Sequence, residues 1–139
     1  MRILFLSLLL SINLLLLSQS YNVSLTISGI ESVEGTINIG LFNDEDNFPK
    51  SGGEIQVYTI KVNGLEESIV MDKLTAGDYA ISLYHDRNAD KVCNRNFIGI
   101  PKEGYGFSNN FKPLFRAPRF EDCLFTVQSD TNIVIRLIN

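Results

Sequence analysis

Apolar and polar residues alternate along most of the chain, the period of two that puts one face of a strand against a core and the other in water. Val23, Leu25 and Ile27 interleave with Ser24, Thr26 and Ser28 before Gly29 ends the run, and Ile37, Ile39 and Leu41 repeat the pattern between Thr36 and Phe42. Further strand-like runs are Ile55 to Val62, Ser68 to Met71, Tyr79 to His85, Leu124 to Val127 and Ile133 to Ile138. Asn63-Gly64, between two of them, carries the signature of a type I′ hairpin, whose central residues both need positive φ. Seven short strands without an amphipathic helix predict an all-β fold, an antiparallel sandwich of the immunoglobulin-like kind.

Two stretches break the rhythm. Asn43 to Gly53 carries Asp44, Glu45 and Asp46, then Pro49 and Gly52-Gly53, and reads as a polar loop. Asp86 to about Pro118 holds three of the four prolines, several glycines and many aromatics. A long loop in a small domain is usually functional when it is ordered, so a site is expected there. It opens with Asp86, Asn88 and Asp90, then the carbonyl of Val92 and the side chain of Asn94. Oxygens at every second position follow the ligand order of a calcium loop, because a hard cation needs many oxygens from one short wrapping segment. Lys91 stands where such loops place a turn glycine, and Phe97 where a closing glutamate belongs. Ligands borrowed from Glu103 or from Asp44 to Asp46 would leave a weak calcium site, with Kd of about 10⁻⁴ to 10⁻³ M. The alternative is an Asx-rich turn closed by its own hydrogen bonds.

Glycines then alternate with aromatics from Gly99 through Tyr105 and Phe107 to Phe115. Two readings stay open: a structural lid over one end of the sandwich, or a recognition surface. In the second, Tyr105 and Phe107 are platforms and Glu103, Asn109 and Asn110 are polar fingers for an extracellular glycan or a protein segment.

Charge and the N-terminus narrow the class. Arg2, an apolar run from Ile3 to Leu17 and the polar Ser18-Gln19-Ser20 form the three zones of a secretory signal peptide, so residues 1–20 are expected to be a leader and 21–139 one domain. Without the leader the chain has 11 basic and 16 acidic side chains, a net −5, which excludes a nucleic-acid binder held by phosphate contacts. By the same count a basic membrane-surface module is not expected, and no second apolar run reaches the ~20 residues of a spanning helix. The protein is expected to be secreted or periplasmic. There Cys93 and Cys123 would pair, stabilising the fold by roughly 3–4 kcal/mol in the chain-entropy picture, or remain two buried thiols.

The block from Leu74-Thr75-Ala76-Gly77-Asp78-Tyr79 through His85-Asp86-Arg87-Asn88, continuing in Ile98-Gly99-Ile100-Pro101 to Asn109-Asn110 and in Phe120-Glu121-Asp122, closely resembles the exported-protein family catalogued as domain of unknown function 2141. That resemblance implies a small secreted or periplasmic β-rich domain with no established activity. The family's pattern carries a glycine where this chain has Lys91 and an aspartate where it has Asn94, and apolar residues at Cys93 and Cys123. A shorter likeness, through Leu74, Gly77 and Tyr79, runs to transthyretin-like and carboxypeptidase-regulatory-like sandwiches. An enzyme would need His85 with Asp86 or Glu103 and a nucleophile. Ser108 is the candidate in the same block, but it lacks a Gly-x-Ser-x-Gly elbow, and neighbouring His85 and Asp86 point to opposite faces of a strand. The expectation is a non-enzymatic binding or structural module.

Overall fold

The computed structural model describes residues 19–139. The expected leader, residues 1–20, lies outside the described part except for its last two residues. Eight strands run in chain order: β1 (Ser20–Ser28), β2 (Thr36–Phe42), β3 (Gln56–Lys61), β4 (Glu67–Thr75), β5 (Gly77–Asp86), β6 (Tyr105–Phe107), β7 (Phe125–Val127) and β8 (Thr131–Arg136). They form two sheets, β4-β1-β8 and β3-β2-β5-β6, with β7 pairing the first part of β5. The fold is a β-sandwich.

The alternation read from the sequence decides which side chains meet between the sheets. Val23, Leu25 and Ile27 of β1 face Ile37, Ile39 and Leu41 of β2 and Ile81 and Leu83 of β5, joined by Met71 and Ile135 in one core. All but Leu83 are fully excluded from water, and each large aliphatic side chain so buried stabilises the fold by about 1.5–3 kcal/mol.

Three expectations change. The sheets are not purely antiparallel, because β1 and β8 run parallel from Val23↔Thr131 to Ser28↔Arg136. Asn63-Gly64 does not close a hairpin, because β3 pairs β2 while β4 pairs β1. Val62 is buried and draws the chain across the core, and Glu67 Oε1 accepts the amides of Asn63 (2.5 Å) and Gly64 (2.9 Å), so a carboxylate holds the crossover. The long segment after Asp86 is interrupted by β6, by a 3₁₀ turn at Ser108–Asn110 and then by a four-residue helix, α1 (Phe120–Cys123). β6 also exchanges two backbone hydrogen bonds with Ile138 (Tyr105 N to Ile138 O, 3.0 Å; Ile138 N to Tyr105 O, 2.7 Å). That bridge brings Gly106 against the other sheet, where an added Cβ would lie 2.7 Å from Ile135 Cγ2.

Candidate functional site

The larger sheet has an outer face, and it is divided in two. At one end Phe42 and Ala80 are covered by Phe48 of the 43–55 loop and by Phe120 and Cys123 of α1, with Phe107 and Phe111 packed beside them. Phe48 makes edge-on contacts with Phe42, Phe107 and Phe120 at centroid separations of 5.1, 6.3 and 6.1 Å. The aromatic segment therefore builds a second small core on the sheet face, and does not form a lid over the sandwich's end.

The other half stays open. Strand register aligns Val57, Gly40, Ser82 and Phe107 in one outward row and Thr59, Asn38, Tyr84 and Tyr105 in the next. Above these rows lie two hollows of about 490 and 370 Å³, which share Ser51, Glu54, Ser82, Tyr84 and Lys91 along their boundary. The 43–55 loop walls one side and the 86–104 loop the other. Glu54 lies across the floor: its Oε2 accepts the Gly52 amide at 2.8 Å, and a Cβ on Gly40 would come within 2.7 Å of its Cγ. Asn38 Oδ1 accepts Thr59 Oγ1 at 2.8 Å, while its amide nitrogen is covered without a partner. Burial, reinforced by Asp86, raises the Tyr84 phenol above its usual range, so at neutral pH it is a neutral donor.

The residues singled out from the sequence separate into two groups. Tyr105 and Phe107 do sit together, with centroids 6.0 Å apart, and line the smaller hollow. Glu103, Asn109 and Asn110 are not fingers. Glu103 is buried, and its two oxygens take the amides of Arg87 and Asn94, both at 3.2 Å, which ties the ends of the Asx loop together. Asn109 gives its side-chain amide to the Leu124 carbonyl at 2.8 Å. Asn110 takes the Arg136 amide at 2.7 Å and donates to the Val134 carbonyl at 3.0 Å, standing in for a neighbouring strand along the free edge of β8.

The loop at Asp86 to Asn94 is closed by its own side chains. Asp86, wholly buried, accepts the amides of Asp90 (3.2 Å) and Lys91 (2.8 Å). Asp90 accepts the Val92 amide (2.9 Å) and the side-chain amides of Asn88 (2.9 Å) and Asn94 (2.8 Å). Those bonds, led by Asn94, hold its carboxyl below the usual range. Among the described residues no group of three His, Cys, Asp or Glu side chains is gathered as a metal set.

The expected bridge between Cys93 and Cys123 is not formed, and both are free thiols. Cys123 faces the outer aromatic core, where burial pushes its thiol up to about 12, whereas Cys93 lies on the wall of the smaller hollow. His85 faces inward, its ring Nε2 2.7 Å from the Glu34 carbonyl. Ser108 is fully buried between β6 and β7. Its Oγ accepts the Ile81 amide at 2.9 Å and donates to the Cys123 carbonyl, filling the gap that two short strands leave along the edge of β5. Sequence reasoning missed the outward positions Asn38, Gly40 and Ser82; that they are small or polar among aliphatics was the signal, and the pairing that brings them together is non-local.

A two-sheet β-sandwich carrying an open, half-aromatic cleft on one outer face defines the architecture. The family described as "Uncharacterized protein conserved in bacteria (DUF2141)" matches residues 25–135, and the chain belongs to it. No curated protein and no solved structure matches.

Proposed function

We propose that this is an exported, non-enzymatic recognition module that lays an extended, hydroxyl-rich ligand, a saccharide chain, across the outer face of its larger sheet. The observation that carries the reading is the pair of outward rows, in which Tyr84, Tyr105 and Phe107 adjoin Asn38, Ser82, Thr59 and Glu54 under one cleft. Aromatic faces suit the C–H faces of a sugar ring, and amide, hydroxyl and carboxylate groups suit its hydroxyls. The hollows have the size of small-ligand sites. His85 and Ser108, the residues acid–base or nucleophilic chemistry would call on, are occupied in the inner core and in the β5 edge. A glycan array followed by titration of the hits tests this. Binding that Tyr105→Ala weakens at least tenfold is expected; an array silent for the parent, or hits indifferent to Tyr105→Ala and Glu54→Gln, would refute it.

Calcium in the Asx loop is a second reading, favoured by Lys91, whose φ of +62° is the conformation the turn glycine of a calcium loop adopts. In that reading Asn88 and Asn94 turn their amide oxygens toward the ion, which sits among Asp86, Asp90 and the Val92 carbonyl. Calorimetry with calcium on the parent and on the Asp86→Ala/Asp90→Ala variant decides it: heat in the parent alone supports the site, and no heat in the parent removes it.

A further inference from the structure

The 94–102 segment folds into a small closed hairpin that projects apolar residues into water. Arg95 and Pro101 form a bridge, Lys102 N donates to Asn94 O at 2.7 Å and Asn96 N to Ile100 O at 2.8 Å. The Asn96 side chain accepts the amides of Ile98 (3.1 Å) and Ile100 (2.9 Å), so these donors at the tip are satisfied within it. On that tip Phe97 is 100% exposed, Ile98 64% and Ile100 48%. Single exposed apolar residues are ordinary on a protein surface, but three on one convex turn rimmed by cations mark an interaction site.

The cations are those of the hairpin's base. Arg87, Arg95 and Lys102 line a hollow there, with Glu103 beneath them already bonded to backbone amides. From Asp86 to Arg119 the chain has seven cationic and three anionic side chains, a net +4, whereas the rest of 21–139 has four cationic and thirteen anionic, a net −9. The net charge of the whole averages over two opposite regions. Such a molecule turns its basic region toward a negative surface and the remainder away. Among the described residues the other fully exposed phenylalanine, Phe115, obeys the same pattern, next to Leu114 and between Lys112 and Arg116.

We infer that the Arg95–Lys102 hairpin docks the protein on an anionic lipid surface. Phe97 and Ile98 enter the interfacial zone, and Arg87, Arg95 and Lys102 hold lipid phosphates with their stems laid along the acyl boundary. A convex apolar tip with a cationic collar fits a deformable interface. The satisfied tip amides lower the cost of leaving water, because a donor stripped of water without a partner is penalised. One hairpin gives weak, reversible attachment, and Arg95 and Pro101 at its base also wall the smaller hollow.

The chain has no tryptophan, so one reporter is read without background. Phe97→Trp replaces a side chain in full contact with water and leaves the fold undisturbed. Its emission should shift to the blue, and be quenched by brominated lipid, on phosphatidylcholine vesicles containing about 30% phosphatidylglycerol. Adding Arg95→Gln/Lys102→Gln should weaken this partitioning about tenfold or more, given the worth of each basic residue near such a surface. Val70→Trp, exposed on the outer face of the smaller sheet, should stay unquenched, which separates docking by the hairpin from attachment by the N-terminal apolar run. The inference is overturned if Phe97→Trp shows no shift, if Val70→Trp is quenched equally, or if dextran sulfate without lipid produces the same shift.

Discussion

Replacing Ser108 by alanine would leave the Ile81 amide and the Cys123 carbonyl buried without their partner. Each stranded group costs roughly 1–3 kcal/mol, so Ser108→Ala should lower unfolding stability by about 2 kcal/mol or more in a urea titration. A catalytic nucleophile would show the opposite profile, with activity lost and stability kept. Lys91 presents the reverse case. Its amide is well used by Asp86, but its φ of +62° costs a residue with a Cβ about 1–2 kcal/mol. Lys91→Gly should therefore gain a few tenths to about 1 kcal/mol, the gain reduced by glycine's greater freedom when unfolded. No change, or a loss, in thermal unfolding would show that the lysine side chain contributes to the loop. Asp122 is bonded to the Arg116 guanidinium at 2.5 and 2.8 Å and to the Arg119 amide at 2.8 Å, which holds its carboxyl down at about 2. A folded value below the unfolded one, roughly 3.9, means that its stabilisation is complete above about pH 4 and is lost as pH falls through about 2. Carboxyl NMR should show Asp122 titrating near 2 in the parent and near the ordinary value in Arg116→Gln. The role of Ser108 was not legible from spacing, because it joins Ile81 and Cys123, both distant in sequence; the turn at Lys91 was legible from its place in the Asx loop, and the contacts of Asp122 are local but need the short helix α1 to form.

Strands β1, β2 and β5 were legible to within a few residues, because each alternates over most of its length between a buried and a wetter face and no competing period is present. Asn63-Gly64 misled because turn propensity is local, while buried Val62 and the two separate pairings that send β3 and β4 into different sheets are not. β6 escaped notice for a related reason: three residues, two of them aromatic and centred on a glycine, have no alternation of their own and become a strand only against Ser82 to Tyr84. The outer aromatic core shows the limit of composition. Nine phenylalanines predict a packed cluster but not its location. Phe48 is its keystone, bridging the 43–55 loop to β2, β6 and α1. Phe48→Ala should cost about 3 kcal/mol or more and loosen α1, since a large ring leaves a cavity that so few neighbours cannot refill. Cys123 reports the same event, because its thiol is shielded by that ring cluster and held protonated. Alkylation of Cys123 should require unfolding in the parent and proceed under native conditions in Phe48→Ala. Resistance in both would mean that α1 is held by Ser108 and the Arg116–Asp122 pair alone.

The two faces of the larger sheet divide the molecule's tasks. Its inner face is a largely aliphatic layer that gives the sandwich its stability. Its outer face is half sealed by rings and half open, and the open half combines polar groups, aromatic surface and the two larger hollows. That Tyr105 and Phe107 lie together was legible because they are aromatics among glycines. The remainder of the floor was not, since Gly40, Ser82 and Asn38 become neighbours only through the β2–β5 register. Gly40 is the position on the floor where an added methyl group tests the proposed cleft. A methyl group there enters no part of the inner core, and meets Glu54 Cγ at 2.7 Å and the Phe42 ring at 3.0 Å. The contact on Glu54 is at its Cγ, near the backbone, and the Phe42 ring is buried in the outer core, so Gly40→Ala should cost about 1–3 kcal/mol, with the entropy advantage of alanine offsetting part of the crowding. The displaced carboxylate also narrows the cleft at the boundary shared by both hollows. Saccharide affinity should fall at least tenfold in Gly40→Ala while vesicle attachment through the 94–102 hairpin is unchanged. If affinity survives the methyl group, the ligand does not cross the sheet at β2, and the site contracts to the hollow beside Tyr105, Phe107 and Arg95.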